Sequence, residues 1–313
     1  MMNKTLIEWC DFTFNPITGC RHGCQYCYAR RQAQRFCGDI RLNKTSEQLQ
    51  QAEDGLWTLD EPFRNNQGKV TPLPVGFEPL LHRYRLPMPA QKKKPANIFV
   101  CSMADLFGEW VPDEWIRETF AALAKAPWHN FLFLTKNPRR YSQLAASGDL
   151  PPEHWYGFTL TGTEEAPEQL YSNWRTFVSI EPLLAMPDLG FLKHDNLTWV
   201  IIGAQTGPGA KQNQPKREWI QSIVDECRKE GVPLFMKDSL LEIWKEPLIR
   251  EYPAELEPKE VIIPHCRKCE HAKETPQGNR GTRYDCDLTD KHIPGRYSRT
   301  SPPWCPRRKE EQS

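Results

Sequence analysis

The sequence predicts an α/β protein with a parallel sheet, followed by a small module rich in cysteine. Short apolar or β-branched runs alternate with polar turns and helical stretches between Phe12 and Asp238, as in parallel strands joined by helices. Most of these runs are continuously apolar, which is expected when helices cover both faces of a sheet. After about Pro247 apolar runs become rare, and proline, arginine and four cysteines accumulate, which indicates a separate module.

The predicted elements follow one another in a regular order. The predicted strands are residues 12–14, 98–102, 131–135, 155–159, 176–180, 199–203 and 234–237. The predicted helices are residues 28–36, 113–125, 138–145 and 216–230. Two helices have clear start signals, Pro112-Asp113 and Asn137-Pro138. Residues 43–95, rich in proline, glutamine, asparagine and charge, are predicted to form a polar insertion rather than core.

Composition and charge limit the classes of function. The chain has 313 residues, of which 39% are hydrophobic and 26% charged, as in folded globular proteins. Its 41 basic and 40 acidic residues leave a net charge of +1, which argues against coating nucleic acid by bulk electrostatics but allows a local basic groove. No apolar run approaches the roughly 18 residues of a membrane span. We therefore expect a cytoplasmic protein with no membrane partner, in which clustered cysteines bind metal.

The first cysteine cluster lies in a loop that follows a predicted strand. Three residues separate Cys20 from Cys24, and two separate Cys24 from Cys27. A 4Fe-4S cluster normally takes four cysteines, so three cysteines in one loop would leave one iron open to a small molecule. The alternative is a zinc knot completed by Cys10, His22 or Cys37, because zinc also binds closely spaced thiolates.

The C-x3-C-x2-C spacing with an aromatic residue, Tyr26, before the last cysteine resembles the motif of the radical S-adenosylmethionine (radical SAM) superfamily. The chain more closely resembles an uncharacterised phage-associated family named after the products of phage genes 37 and 68. The matching stretches are residues 7–9, 14–16, 19–20, 26–29, 98–107, 133–140, 179–184, 199–209 and 231–237.

This resemblance implies a fold and a chemistry. Residues 1–246 would form a radical SAM-type partial β/α barrel carrying the 43–95 insertion, and residues 247–313 the cysteine-rich metal module. The open iron would bind the methionine amino and carboxylate groups of S-adenosyl-L-methionine. One electron, supplied by a reductant such as flavodoxin or ferredoxin, would cleave this cofactor to a 5′-deoxyadenosyl radical. The phage-type resemblance and a basic C-terminal segment favour a nucleobase, nucleotide or nucleic acid as substrate.

Polar side chains follow the predicted strands, and the carboxyl ends of such strands carry the active site in β/α barrels. By resemblance, these residues are candidates for binding the cofactor: Tyr26, Tyr28, Ser102, Asp105, Lys136, Glu181 and Gln205. The tyrosines would line the adenine, although loop packing explains them equally well. Ser102 and Asp105 would lie beside the methionine amine or the ribose, although both residue types also cap helices.

Two residues are candidates for catalysis. Cys101 lies at a predicted strand end, where the resembled family usually has asparagine. Lys237 lies at the end of the last predicted strand and could hold the cofactor carboxylate, the ribose or the substrate. The other isolated cysteines are expected to be buried as small apolar residues.

The second cysteine cluster consists of Cys266 and Cys269, two residues apart, with Cys286 and Cys305 farther along. Four thiolates suit a zinc ribbon or a second 4Fe-4S cluster, and His265 or His271 could replace one cysteine. Basic and aromatic residues alternate in this module, a composition that could bind phosphates and stack bases or could simply be a solvated metal ribbon.

Two other functional classes fit the cysteine clusters. A zinc-bearing nucleic-acid-binding protein without catalysis would use both clusters structurally and would be colourless when pure. An electron carrier would be redox-active but indifferent to S-adenosyl-L-methionine. A simple carrier does not need the large barrel-like region, so this class is disfavoured.

Overall fold

The structure, a computed structural model, describes residues 2–52, 54–162, 164, 166–167, 174–257, 271–276 and 282–294. The chain divides into two units, Met1–Leu256 and Glu257–Ser313.

Strands and helices alternate through most of the first unit. The strands of the chain are β1 (Met2–Lys4), β2 (Phe12–Phe14), β3 (Ile17–Thr18), β4 (Gln50–Gln51), β5 (Trp57–Leu59), β6 (Leu80–His82), β7 (Asn97–Val100), β8 (Asn130–Thr135), β9 (Trp155–Leu160), β10 (Arg175–Ile180), β11 (Leu197–Ile202), β12 (Leu234–Met236), β13 (Ala272–Pro276), β14 (Thr282–Cys286) and β15 (Lys291–His292). The α-helices are α1 (Tyr28–Phe36), α2 (Ile40–Asn43), α3 (Met88–Gln91), α4 (Asp113–Leu123), α5 (Arg139–Ala146), α6 (Arg217–Glu230) and α7 (Leu241–Trp244).

The central sheet has eight strands in the order β1-β2-β7-β8-β9-β10-β11-β12. The edge strand β1 pairs antiparallel with β2, and every other neighbouring pair is parallel. The predicted parallel sheet is thus confirmed, and each predicted strand overlaps an observed one. The strand predicted at 98–102 ends earlier, because the backbone of Cys101 has a φ of 63° and leaves the extended conformation. The barrel itself stays a prediction.

One face of the sheet curves around Trp9. Its ring lies 4.8 Å from that of Phe99 on β7, 6.1 Å from that of Phe177 on β10 and 6.2 Å from that of Trp199 on β11. In a flat sheet β7 and β11 would be separated by four strand spacings, roughly 19 Å. A single indole can contact side chains from both only because the sheet bends strongly. The segment before β2 therefore fills the concave side.

The convex face is covered by helices. Ile116, Phe120 and Leu123 of α4 pack with strand residues in one buried cluster, and Ile220 and Ile223 of α6 pack in another. Burial on both faces explains why the strands are continuously apolar. α6 ends at Gly231, whose φ of 69° forms the left-handed cap that suits glycine.

Residues 43–95 form more than a polar cover. β4, β5 and β6 join β3 in a second sheet, with the order β3-β6-β5-β4. Its apolar side chains form a small cluster of their own, which includes Trp57, Leu59 and Phe63. Other residues of the segment, such as Leu56 and Leu81, pack into the main core. The segment is therefore anchored to the central sheet beside the cysteine loop.

The described part of the second unit is a three-stranded antiparallel sheet, β13-β14-β15. Cys286 is buried at the end of β14, beside Ile293. The other predicted ligands of this module, Cys266, Cys269 and Cys305, lie outside the described residues, as does His265. Within the described residues, no helix combines the length and apolar character that membrane crossing requires.

Candidate functional site

The polar residues predicted as a site lie along one edge of the central sheet. β2 and β7 to β12 are all parallel, so their carboxyl ends share an edge. From this edge emerge the cysteine loop after β2, and then Ser102 with Asp105, Lys136, Glu181, Gln205 and Lys237 after later strands. These predicted site residues, far apart in sequence, are thereby brought to one side of the protein.

The cysteine loop is attached to the sheet edge at its start. Gly19 donates its N–H to the carbonyl of Met103 at 2.9 Å, and Cys20 donates to the carbonyl of Phe77 at 3.2 Å. A Cβ atom at Gly19 would lie 2.1 Å from the carbonyl oxygen of Glu78, and the φ of Gly19 is 88°. Only glycine meets both conditions. The loop therefore enters between the sheet edge and the insertion.

The loop ends at Cys27, which caps α1. The Sγ atom of Cys27 accepts a hydrogen bond from the N–H of Arg30 at 3.4 Å. The first turn of a helix presents unpaired N–H groups and a partial positive charge, both of which favour a thiolate. The geometry of α1 therefore suits a metal-binding sulfur at its start.

The three thiols of the loop are partly exposed and none is in a disulfide. Burial is the main cause that raises the pKa of Cys20 to about 12, and the nearby Asp105, Cys24 and Cys27 raise it further. In the described part of the chain, no three His, Cys, Asp or Glu side chains surround one ion position.

Asp105 is the most heavily bonded residue of the edge. Its carboxylate accepts from Thr135 Oγ1 at 2.8 Å and from the backbone N–H groups of Phe107 and Lys136 at 3.0 and 2.9 Å. Its Oδ2 also lies 2.7 Å from Nε2 of His22, inside the cysteine loop. These bonds connect the loop to the ends of β7 and β8.

The two predicted tyrosines occupy different positions. Tyr26 lies beside Cys24, and burial together with this thiol raises its pKa. The ammonium group of Lys136 lies over the Tyr26 ring, 5.5 Å from its centre. Tyr28 donates from its hydroxyl to the carbonyl of Ser102 at 2.7 Å, which fixes α1 against the turn after β7. The Tyr26 and Lys136 side chains thus flank the thiols, and Tyr28 links α1 to the sheet.

Glu181 and Lys237 form an ion pair across the end of β11. Their side chains are 28% and 17% exposed, so the pair is largely screened from water. Between them lies Gly203, where a Cβ atom would be 3.1 Å from Cδ of Lys237 and 3.3 Å from Cγ of Glu181. The absence of a side chain at Gly203 lets the two charged groups approach.

Two predicted site residues are engaged within the protein. Gln205 donates to the carbonyl of Pro208 and accepts from Asn213, both at 2.9 Å, so its amide braces its own loop. Cys101 is 2% exposed, and burial raises the pKa of its thiol to about 12. Neither side chain presents a charged group at the edge, in contrast to Lys136 and Lys237.

Sequence reasoning did not assign roles to several residues of this edge. His22 was considered only as a zinc ligand. Asn15 was given no role, yet its side chain bonds Ser102 at 3.2 Å and the N–H of Met103 at 2.9 Å. Glu164 accepts from the N–H and hydroxyl of Thr161. Burial acts to raise the pKa of Glu164, but these bonds keep it below its usual range. The spacing of Thr161 and Glu164 matches a capping box and was a usable signal.

Comparisons with known proteins add a family and a set of distant structures. The profile of the family described as "Protein of unknown function (DUF5131)" matches residues 4–246. Among curated proteins, none matches the chain. The chain is similar to a doubly substituted spore photoproduct lyase with bound AdoMet and dinucleoside spore photoproduct, with 9% identity and a TM-score of 0.36, over 91% of this chain and 70% of that chain. Spore photoproduct lyase complexed with dinucleoside spore photoproduct gives 10% identity, the same TM-score and the same coverage.

Proposed function

This chain belongs to the DUF5131 family of proteins of unknown function, and from its own residues we propose that it is a radical SAM enzyme. Cys20, Cys24 and Cys27 would hold a 4Fe-4S cluster, and S-adenosyl-L-methionine would bind its open iron. With one electron from a reductant such as flavodoxin or ferredoxin, these groups would supply a 5′-deoxyadenosyl radical. We propose a nucleobase, nucleotide or nucleic acid as substrate.

One observation carries the proposal: a loop with exactly three thiols opens onto the carboxyl edge of a parallel sheet, where other charged side chains also emerge. Three thiolates complete three of the four irons of a cluster and leave one for a ligand. A site at this edge of an α/β sheet has the usual location for binding a small molecule. Lys136, Glu181 and Lys237 supply charges that could pair with the ionic groups of an amino acid.

The alternative of a structural zinc ion requires a fourth ligand from Cys10, His22 or Cys37. Each of these has another partner. Cys10 Sγ donates to the carbonyl of Ile7, and Cys37 Sγ donates to the carbonyl of Gln34 at 3.3 Å. His22 is bonded to a buried carboxylate. A cluster with three protein ligands requires none of them.

The residues of the edge would have separate tasks. Lys136, with its ammonium group over Tyr26 beside Cys24, would attract the cofactor carboxylate. Glu181 and Lys237 would bind a polar group of the cofactor or substrate, which would replace part of the contact between the two side chains. Asp105, with all of its bonds inside the protein, would position the loop rather than contact the cofactor. The segment around Trp9, which packs against the concave side of the sheet, would exclude water from that side.

The second cysteine set, Cys266, Cys269, Cys286 and Cys305, would hold zinc or a second cluster. Cys286 is buried in the described sheet of the second unit. A metal site at its strand end would stabilise a segment with few apolar residues. Metal analysis of the chain ending at residue 256 would assign this site, because that chain retains only the first cysteine set.

Anaerobic purification and reconstitution with iron and sulfide test the proposal. The protein should turn brown, bind about four irons at the first site and, once reduced with dithionite, convert S-adenosyl-L-methionine to 5′-deoxyadenosine. A variant with alanine at Cys20, Cys24 and Cys27 should lose both the first-site iron and the product.

The matched control replaces Cys10, Cys37 and Cys227 by alanine, which removes the same number of thiols but spares the loop. This control should retain the iron and form the product. If fully loaded wild-type protein contains only zinc at the loop and forms no 5′-deoxyadenosine, the enzyme proposal is wrong and the zinc-bearing nucleic-acid-binding protein replaces it.

A further inference from the structure

Two segments without acidic residues, one of which contains the cysteine loop, lie next to each other. Residues 19–38 and residues 205–217 contain no Asp or Glu. At the chain's average of 40 acidic residues in 313, about four would be expected in these 33 positions. The first segment contains the cysteine loop and α1, with arginines at positions 21, 30, 31 and 35. The second is the loop after β11 and contributes Lys211 and Lys216.

The structure brings these two segments into contact. Arg31 of α1 lies against Gly207, where a Cβ atom would be 3.0 Å from its guanidinium. Gly207 and Gly209 have φ values of 79° and 80°, which glycine adopts readily, so the loop can turn tightly next to the helix. Positive charge from two distant parts of the sequence therefore accumulates on one surface, although the whole chain carries a net charge of only +1.

The arginines of α1 differ from several others of the first unit in their pairing. Several other arginines of the first unit are paired, among them Arg83 with Glu118 and Arg250 with Glu8, and Arg217 at the end of the second segment pairs with Glu246. Among the described residues, none of the three arginines of α1, at positions 30, 31 and 35, forms an ion pair. Arg21 lines a cavity with Asp54, Glu109 and Asp113 and is not counted with this surface. Such a surface favours an anionic partner. Its positive charges are not neutralised by acidic side chains, and they lie close enough together to repel one another.

Exposed aromatic rings lie on either side of these cations along α1. Tyr28 and Phe36, at the two ends of α1, are 47% and 55% exposed. Arg31 and Arg35 lie between them, one helical turn apart on the same side of the helix. Cations that follow a phosphate backbone, with aromatic faces that stack unpaired bases, are the pattern of single-strand binding. A small anion would need the cations but not the exposed rings.

We propose that α1 and the 205–217 loop form a surface that binds single-stranded nucleic acid through its phosphates. The surface begins at Cys27, the N-cap of α1, so a strand bound along the helix would extend to the cysteine loop. The chemistry that would follow binding rests on the proposed function. The binding itself requires no cluster and no S-adenosyl-L-methionine.

Fluorescence anisotropy with the full-length chain and a labelled oligothymidylate of about 20 nucleotides tests the surface. The test variant is Arg31→Gln with Arg35→Gln. The control variant is Lys125→Gln with Lys193→Gln, which removes the same charge from exposed positions near the amino ends of β8 and β11, on the opposite edge. Both variants keep the basic C-terminal segment, and circular dichroism establishes that both are folded.

Each lost phosphate contact lowers the slope of log affinity against log salt by about 0.7 for a single strand. The test variant should therefore lose about 1.4 of slope and bind about 10- to 25-fold more weakly at ~0.1 M salt. The control should bind like the wild type. Equal affinities for the wild type and the test variant would overturn the proposal, and so would tighter binding of a duplex of the same length.

The two proposals fail separately. The binding measurement is repeated on the variant with alanine at Cys20, Cys24 and Cys27, which should bind the oligonucleotide like the wild type. Retained binding without 5′-deoxyadenosine formation by the wild type would overturn the enzyme proposal alone. If the wild type forms 5′-deoxyadenosine but the variant Arg31→Gln with Arg35→Gln binds the oligonucleotide as tightly as the wild type, the surface proposal alone is overturned.

Discussion

The imidazole Nε2 of His22 lies 2.7 Å from the carboxylate Oδ2 of Asp105, and this contact joins the cysteine loop to the sheet edge after β7. The side chain of Asp105 is only 7% exposed, whereas that of His22 is 22% exposed. The ring of His22 also packs edge-on against Trp110, at a centroid distance of 4.8 Å. The middle of the loop is therefore held at a fixed position relative to the strands before any metal binds.

Substitution Asp105→Asn should weaken both the fold and the loop. An amide of the same shape has only one acceptor oxygen, so the donors from His22, Thr135 and Lys136 cannot all be satisfied. Losing buried hydrogen bonds to a charged group should lower the free energy of unfolding by roughly 3 kcal/mol. Urea denaturation measures this loss, and iron content after reconstitution should fall with it.

The control for this substitution is Asp149→Asn. Asp149 also accepts from a hydroxyl and an arginine, but at the surface, where Ser147 and Arg117 can turn to water. Its stability should stay close to that of the wild type. If Asp105→Asn were as stable as this control, Asp105 would not organise the edge.

The Glu181 and Lys237 ion pair should show measurable coupling. Glu181→Gln, Lys237→Gln and the double variant form a double-mutant cycle. Because both side chains are largely screened from water, we expect a coupling energy of about 1 kcal/mol or more between them. The pair of Lys229 and Glu226 on α6, in which the lysine side chain is 61% exposed, should give a smaller coupling. Equal couplings for the two pairs would show that the edge pair is an ordinary surface contact.

Gly203→Ala should disturb the same pair sterically. The new methyl group would lie 3.1 Å from Lys237 and 3.3 Å from Glu181, so both side chains must shift. We expect a loss of about 1–3 kcal/mol in the free energy of unfolding and weaker binding of S-adenosyl-L-methionine, measured by calorimetry. Gly190→Ala is the control, since the three atoms nearest to its new methyl group all belong to the exposed end of the Asp188 side chain. Unchanged cofactor binding in Gly203→Ala would remove the pair from the binding site.

The sequence predicted the sheet well because each long strand is a continuous apolar run. The strand at Trp199 is buried on both faces. A continuous apolar run is expected in such a strand and not in an exposed segment. Helix α1 was predicted at its observed bounds, Tyr28–Phe36. These signals are local, so one sequence is enough to find them.

The parts that were missed depend on contacts between distant residues. The insertion pairs strands of two or three residues, such as Gln50–Gln51, which are too short to have a recognisable pattern. His22 and Asp105 are 83 positions apart, and Arg31 meets Gly207 across a still longer separation. Trp9 lies outside every predicted strand and helix, and only the curvature of the sheet makes it central. Periodicity does not encode such contacts.

Acid should destabilise the protein partly through His154. This side chain is 5% exposed and stacks on Phe120 at a centroid distance of 5.9 Å, and burial lowers its pKa to about 4. Below a pH of about 6.5 the unfolded chain binds a proton at this histidine, while the folded chain does not until a pH of about 4. The free energy of unfolding should therefore fall with decreasing pH in this window, by about 3 kcal/mol in total from His154.

Urea denaturation of His154→Phe from pH 7.5 to 4 tests this, and the free energy of unfolding should decrease less steeply than in the wild type. The control is Phe191→Leu, which loses packing but no titrating group and should give a curve parallel to the wild type. A His154→Phe curve that is also parallel to the wild type would mean that this histidine accepts its proton in the folded protein as readily as in the unfolded chain.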